Sequence, residues 1–195
     1  MPKLSHRSVI LLKGLEAVRQ HGYCATSVRD IVQAAQVPQG SFTNHFSSKE
    51  AFGVEILNLE FTRMEKLLTA SLGDADLQPL QRLQAFVDGR IDWVSADNVR
   101  DGCLFGNLAA ELRQQNRPIH NRLLNIFEII QQMIRACVAA AVSTQAISAR
   151  PDGDIDALSA YILSSFQGAI LIAQAQRSTL PLWHFKHVLF DKILC

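Results

Sequence analysis

Two groups of side chains in this sequence could do chemistry, one with sulfur and one with hydrogen bonds. Cys24, Cys103, Cys137 and Cys195 stand far apart with no Cys-x-x-Cys pair, a spacing that argues for free thiols rather than a zinc ribbon or a disulfide framework. Cys103 has the most suggestive surroundings, Arg100-Asp101-Gly102-Cys103-Leu104-Phe105-Gly106-Asn107. Asp101 is placed to cap a helix whose first turn contains Cys103, and unpaired amides there stabilise a thiolate, the form that attacks electrophiles. Arg100 adds to that effect and Asp101 opposes it. Read as packing, the same thiol is a small buried hydrophobe, the commonest fate of a free cysteine. The second group is the polar run Gln39, Ser41, Thr43, Asn44 and His45 around Gly40. These side chains can bond base edges or phosphates, and Gly40 lets a backbone come close. Read as packing, the run is the solvated face of a structural helix.

Catalytic arrangements are weaker. Cys103 as nucleophile with His120 as base leaves the two 17 residues apart with no third group to orient the base, and no glycine-rich phosphate loop, HExxH or GxSxG occurs. His184 and His187 at i,i+3 with Cys195 could hold a metal, yet two histidines on a surface helix are ordinarily just solvated. The reading is therefore of a protein that is not an enzyme and uses no cofactor and no metal.

The bulk properties are those of a folded chain: of 195 residues, 48% are hydrophobic and 19% charged, enough for one large core or two small ones. A formal charge of +1 gives no whole-chain attraction to polyanions. Its distribution is uneven, because residues 1–50 carry six basic and three acidic side chains, net +3, and the other 145 carry a net −2. That asymmetry suits a small basic head on a slightly acidic body. The start, Met1 to Arg7, has no long apolar stretch or small-residue cleavage site, which reads as cytoplasmic. Residues 157–176 contain no charge and match a membrane span in length. Their three serines and three glutamines favour a buried interface helix instead.

The elements that position these groups read as helices throughout. Pro38, Pro79, Pro118, Pro151 and Pro181 fall between stretches of helical periodicity rather than inside them. Leu11, Leu15 and Val18 share a face of a first helix that stops at His21-Gly22. Ser27 with Asp30 opens a short second helix, a third starting near Pro38 carries Phe42 and Phe46, and Ser47 with Glu50 caps a long fourth ending near Ser71. Later stripes begin at Leu80, Leu104, Leu123, Leu158 and Leu182. The expected fold is all-α with about nine helices, with no alternating strand pattern and no internal repeat.

Residues 27–46 thus form two short helices around Gln36-Val37-Pro38, a trihelical helix-turn-helix pattern when packed on the first helix. Its second short helix would enter the major groove of double-stranded DNA. Lys49, in the first turn of the fourth helix where the dipole disfavours a cation, fits a phosphate bound by the amides of the same helix start. The strings Thr26 to Ile31, Ala34 to Val37 and Gly40 to Phe52 resemble the DNA-binding signature of TetR-type bacterial transcriptional regulators over nearly 30 residues. The resemblance implies DNA contact from Ser27, Arg29, Gln39, Gly40, Ser41, Thr43, Asn44, His45 and Lys49. It also implies a homodimer with a DNA-binding domain over residues 1–47 and an effector-binding and dimerisation domain over 48–195. Two positions depart from the pattern: Thr43 stands where an aromatic, usually Tyr, is common, and Gln36 where glycine is frequent.

Asp101 to Leu112 is similar to the Gly-Cys-Leu segment of a subset of that family that includes electrophile-responsive and oxidant-responsive repressors. The resemblance implies a repressor released from its operator by a small apolar or electrophilic effector, sensed by Cys103 and a cavity lined by Phe86, Trp93, Phe105, Phe127 and Phe166. Alternatives are a cysteine-based sensor without a reversible ligand, a metal-responsive regulator or an enzyme. The charge-free helix and the segment Leu182 to Leu194, with small Ser165, Gly168 and Ala169, are expected to pair with a second copy.

Overall fold

A computed structural model describes residues 5–96, 100–112, 116–147 and 154–195. Among the described residues there are nine α-helices and no strand: α1 His6–His21, α2 Val28–Ala34, α3 Gly40–Thr43, α4 Lys49–Ala70, α5 Pro79–Ala96, α6 Leu104–Glu111, α7 Arg117–Ser143, α8 Ile155–Gln176 and α9 Leu180–Val188. A π-helical turn, Leu189–Ile193, continues α9. The all-α expectation holds, and three local readings are corrected.

First, the third helix is a single turn. It ends at Thr43, and Phe46 lies beyond it, its amide still bonded to the Phe42 carbonyl at 2.8 Å. Second, α4 is capped one residue later than its sequence suggests. Ser48, not Ser47, accepts the Ala51 amide at 3.1 Å, because the cap serine must sit three residues before the amide it receives. Third, α6 opens at Leu104, so Cys103 is the residue before its first turn rather than within it. Gly102, at φ +61, turns the chain there and delays the helix.

The chain divides into two compact units, Met1–Thr62 with Leu104–Asn125 and Arg63–Cys103 with Ile126–Cys195. The first is built on Ile10, Leu15 and Val18 of α1, Ile31 of α2 and Phe52, Ile56 and Leu57 of α4, all buried. Gly22, at φ 86, closes α1 as its sequence predicts, its amide bonding the Val18 carbonyl. Arg19 and Glu60, both largely buried, form an ion pair at 2.5 Å between α1 and α4. The second unit buries Leu83, Phe86 and Ile91 of α5, Ile130 and Ile134 of α7, and Ile162, Phe166 and Ile170 of α8. Phe166 stacks on Phe185 of α9 with ring centres 4.8 Å apart.

The α2–α3 turn is where sequence and geometry meet most closely. Ser27 and Asp30 form the capping box: Asp30 accepts the Ser27 amide at 2.8 Å and its hydroxyl at 2.6 Å, while Ser27 accepts the Asp30 amide at 3.2 Å. At the other end Gln36 takes φ 54, the left-handed conformation that costs a side-chain-bearing residue about 1–2 kcal/mol. The glycine preference noted for this position is therefore a real backbone demand that this chain meets with glutamine.

Two outcomes follow from this turn. Gln36→Gly should raise unfolding free energy by about 1 kcal/mol, since glycine adopts that conformation without penalty; a lower urea midpoint would contradict it. The Ser27 hydroxyl and amide hold the Asp30 carboxyl below its ordinary value. The folded state then binds fewer protons than the unfolded one. The contribution is complete above the ordinary aspartate value of about 3.9 and disappears as pH falls through the lower folded value. Asp30→Asn should flatten the acid limb of stability below about pH 4, read as urea midpoint against pH; parallel wild-type and variant curves would contradict it.

Candidate nucleic-acid interface and effector region

A one-turn helix has no stability of its own, so the surface it presents depends on what holds it from beneath. Phe42 and Phe46 lie with ring centres 5.2 Å apart, and each meets Phe52 of α4, at 5.8 and 5.4 Å. All three rings are buried. This triad fixes which side of α3 faces out: Gln39, Gly40, Thr43, Asn44 and His45 are exposed. Ser41 is not. It is 9% exposed because it precedes Phe42 on the inward side of the turn, which corrects its placement among the outward residues.

The Thr43 hydroxyl donates to the Gly40 carbonyl at 3.0 Å. A phosphate only accepts hydrogen bonds, so Thr43 must turn that hydroxyl away from Gly40 to reach one. Ser27 and Arg29, at the start of α2, are both exposed.

The positive charge of the head is narrower than its count of basic residues. Arg7 pairs with Glu55 at 2.7 Å, Lys13 with Glu16 at 2.8 Å, and Arg19 with Glu60. Glu55 and Glu60 lie just past residue 50, and through Thr62 the net charge is only +1. Lys49 is half-buried, with its ammonium 4.5 Å above the Tyr23 ring. Among the described basic residues before Thr62, Arg29 alone makes neither an ion pair nor a ring contact.

Tyr23 and Glu111 are contributors that sequence reasoning missed. Buried Tyr23 donates its hydroxyl to the Lys49 carbonyl at 2.9 Å, bracing the first turn of α4. Burial, with Glu50 nearby, pushes its phenol far above the ordinary value, so it remains a donor. Glu111, at the end of α6, accepts the Cys24 amide at 2.9 Å. A cavity of about 330 Å³ lies among Tyr23, Cys24, Lys49, Glu50, Glu111 and Asn116. No sequence pattern announces these ties, because the partners are 26 and 87 residues apart.

In the second unit, Cys103 is buried. The preceding loop is held by Gln174 of α8, whose amide donates to the Arg100 carbonyl at 3.1 Å. A side chain at Gly102 would come within 2.5 Å of that same glutamine. Arg100 pairs with Asp101 at 3.3 Å. Of the aromatic residues expected to line an effector cavity, Phe86, Phe105 and Phe166 are buried, whereas Trp93 and Phe127 are half-buried. None of them lines the 330 Å³ cavity, the 850 Å³ groove between α1 and α2, or the 270 Å³ pocket between α8 and α9. Among the described residues no cluster could hold a metal; His187 instead meets Asp191 at 2.6 Å. His120 is exposed while Cys103 is buried, so the two differ in their access to solvent.

Comparison with known proteins agrees with the motif. Residues 10–56 match the family described as bacterial regulatory proteins, tetR family, and residues 79–189 match the tetracyclin repressor-like C-terminal domain. The HTH-type transcriptional repressor DhaR of Mycobacterium sp. (strain GP1) is 34% identical over 194 residues, covering 100% of this chain and 95% of that protein. The transcriptional regulator AcuR of Cereibacter sphaeroides is 32% identical over 182 residues, covering 93% and 82%. The crystal structure of a regulatory protein TetR from Rhodobacter sphaeroides superposes with a TM-score of 0.86 at 29% identity, covering 95% of this chain and 97% of that one.

Thiol accessibility checks the burial described here. Cys24 and Cys195 are exposed, Cys103 and Cys137 buried, and burial also pushes the Cys137 thiol above its ordinary value. Under native conditions a thiol-titrating disulfide reagent should react promptly with two sulfurs, with the other two following only on unfolding. Prompt modification of Cys103, located by peptide mass, would overturn its assignment as packing.

Proposed function

The chain belongs to the TetR family and is a DNA-binding transcriptional repressor, and from that premise we propose how its parts divide the work. Residues 1–47 act as the reader and 48–195 as the effector-binding and dimerisation body. Gln39, Gly40, Thr43, Asn44 and His45 face the major groove, with Ser27, Arg29 and Lys49 toward the phosphates. The observation that carries this reading is the exposed polar set in and beside α3, seated on the Phe42, Phe46 and Phe52 rings. A helix of one turn so rigidly backed is suited to direct readout. Ser41 serves the packing of that helix instead.

The family forms homodimers, and we place the interface on α8 and α9. Leu171, Ile172, Leu180, Trp183 and Val188 are exposed there in the single chain, more apolar surface than such helices ordinarily leave to water. Gly168 has open space beside it, so another helix can approach closely. Two helices, Arg117–Ser143 and Ile155–Gln176, are long and apolar enough to cross a membrane; we read both as body helices, and the protein as cytoplasmic with its operator. A two-fold dimer sets its readers roughly 34 Å or slightly more apart and requires a near-palindromic operator.

Release is assigned to a small organic effector that favours a body conformation whose reader spacing no longer fits successive grooves. Burial of Cys103 favours a reversible ligand over direct attack on an electrophile. Phe86, Trp93, Phe105, Phe127 and Phe166 are the aromatic residues offered as its contacts.

Operator binding by fluorescence anisotropy across a salt series tests the reader. Arg29→Ala should reduce the slope of log affinity against log salt by about one. Asn44→Ala should weaken specific binding by about 1–3 kcal/mol with little change in non-specific binding. Wild-type slope and wild-type specificity in both variants would reject this face.

A further inference from the structure

Among the described residues of the second unit, one buried cation has a nitrogen without a hydrogen-bond partner. Arg90 is only 4% exposed, and its Nη2 is buried with no hydrogen-bond partner. Elsewhere Arg19 pairs with Glu60, and on α5 itself Asp88 lies 2.5 Å from the Lys186 ammonium, although Asp88 Oδ1, like Arg90 Nη2, is buried without an aligned hydrogen bond. Arginine cannot shed its proton to relieve burial, and an uncompensated buried cation is among the costliest arrangements in a fold. The carboxylates nearest in sequence do not help. At 100° per residue, Asp88 and Asp92 lie about 160° away from Arg90 around the helix, and Asp92 is exposed.

On its own helix Arg90 sits among apolar positions. Leu83, Phe86, Val87 and Val94, at three- and four-residue spacings and one full repeat away, form the buried stripe in which it sits. The guanidinium lies 5.3 Å from the ring centre of half-buried Trp93. That contact supplies attraction for the charge but no acceptor for the N–H groups. A second copy of the chain cannot provide one either, since the side chain is already enclosed within a single chain.

We infer that Arg90 is the recognition group for an anionic effector, a small monocarboxylate whose apolar part lies against Phe86 and Trp93. This rests on the proposed effector-controlled repressor and names the chemical class of its ligand. The planar guanidinium offers paired donors that match a carboxylate. One negative charge neutralises the site, whereas a doubly charged phosphate would leave a buried excess of the opposite sign. The effector is accordingly an amphiphile with one charged end, not the wholly apolar molecule that the helix stripes alone suggest.

The test compares acetate, propionate, butyrate, hexanoate and benzoate with their primary amides, using the full-length dimer. Thermal unfolding reads binding, and anisotropy on operator DNA reads release. At least one carboxylate should raise the unfolding midpoint and release operator while its amide does neither. Arg90→Met should lose that response by about thirtyfold or more, the usual consequence of removing one partner of a buried charged pair, while binding operator as the wild type does. Arg90→Lys, keeping charge without the fork, should fall between. Without ligand, Arg90→Met should unfold at the wild-type midpoint or above it, because an unmatched charge has been removed.

Equal action of acids and amides, no stabilisation by any acid, or a lowered midpoint in ligand-free Arg90→Met overturns the assignment. Because the thermal shift needs no DNA, loss of the anion response and loss of operator binding are separable: wild-type chain that answers carboxylates but ignores operator overturns the repressor reading instead.

Discussion

The constraint on which the reading head depends is the burial of three phenylalanine rings beneath a helix of a single turn. Such a helix closes too few hydrogen bonds to offset the ordering of its own backbone. Each fully buried phenylalanine contributes about 1.5–3 kcal/mol, and edge-to-face contact such as that of Phe46 on Phe52 adds to it. The order of cause is therefore from core to surface. Phe52 belongs to α4, so the seat of α3 depends on the long helix. Tyr23, by bonding the Lys49 carbonyl, fixes the end of α4 that carries this ring.

The same dependence explains why the electrostatics of the head are local. Arg7 and Arg19 answer to Glu55 and Glu60 on α4, and so contribute to holding helices together at the expense of a long-range positive field. Net charge along a sequence window counts them as free. In three dimensions the helix that supplies the phenylalanine seat also supplies the acids. The head that remains is only mildly basic, net +1 through Thr62.

Much of this was legible in the sequence, because the informative signals are short-range. The Ser27 and Asp30 box, the stop at Gly22 and the left-handed demand at Gln36 all rest on residues within four positions of one another. Phe42 and Phe46 showed at helical spacing even though the helix ends between them. Ser41 was misplaced because a one-turn helix has no second repeat to reveal which face is inward. The cap of α4 was misjudged by one residue because Ser47 and Ser48 offer the same chemistry. Tyr23, Glu111 and Gln174 were invisible because their partners lie on other elements. Arg90 escapes for another reason: in a stripe of apolar residues an arginine reads as an interruption, and only its burial in the fold turns it into a question.

The segment from Arg100 to Glu111 is tied near each end by a residue far away in sequence. Its first carbonyl is held by Gln174 of α8, and its last carboxylate holds the Cys24 amide in the loop that leads to α2. Between the two ties run Asp101, Gly102, Cys103 and all of α6 but its last residue. A ligand shifts an equilibrium only by the difference in its affinity for two states. α6 is held by packing as well as by hydrogen bonds, since Leu104, Phe105 and Leu108 are buried, so a ligand acting on it would have to favour one arrangement of that packing over another. Cys103 stands inside this segment, buried and one residue ahead of the helix. So enclosed, it packs as a small hydrophobe.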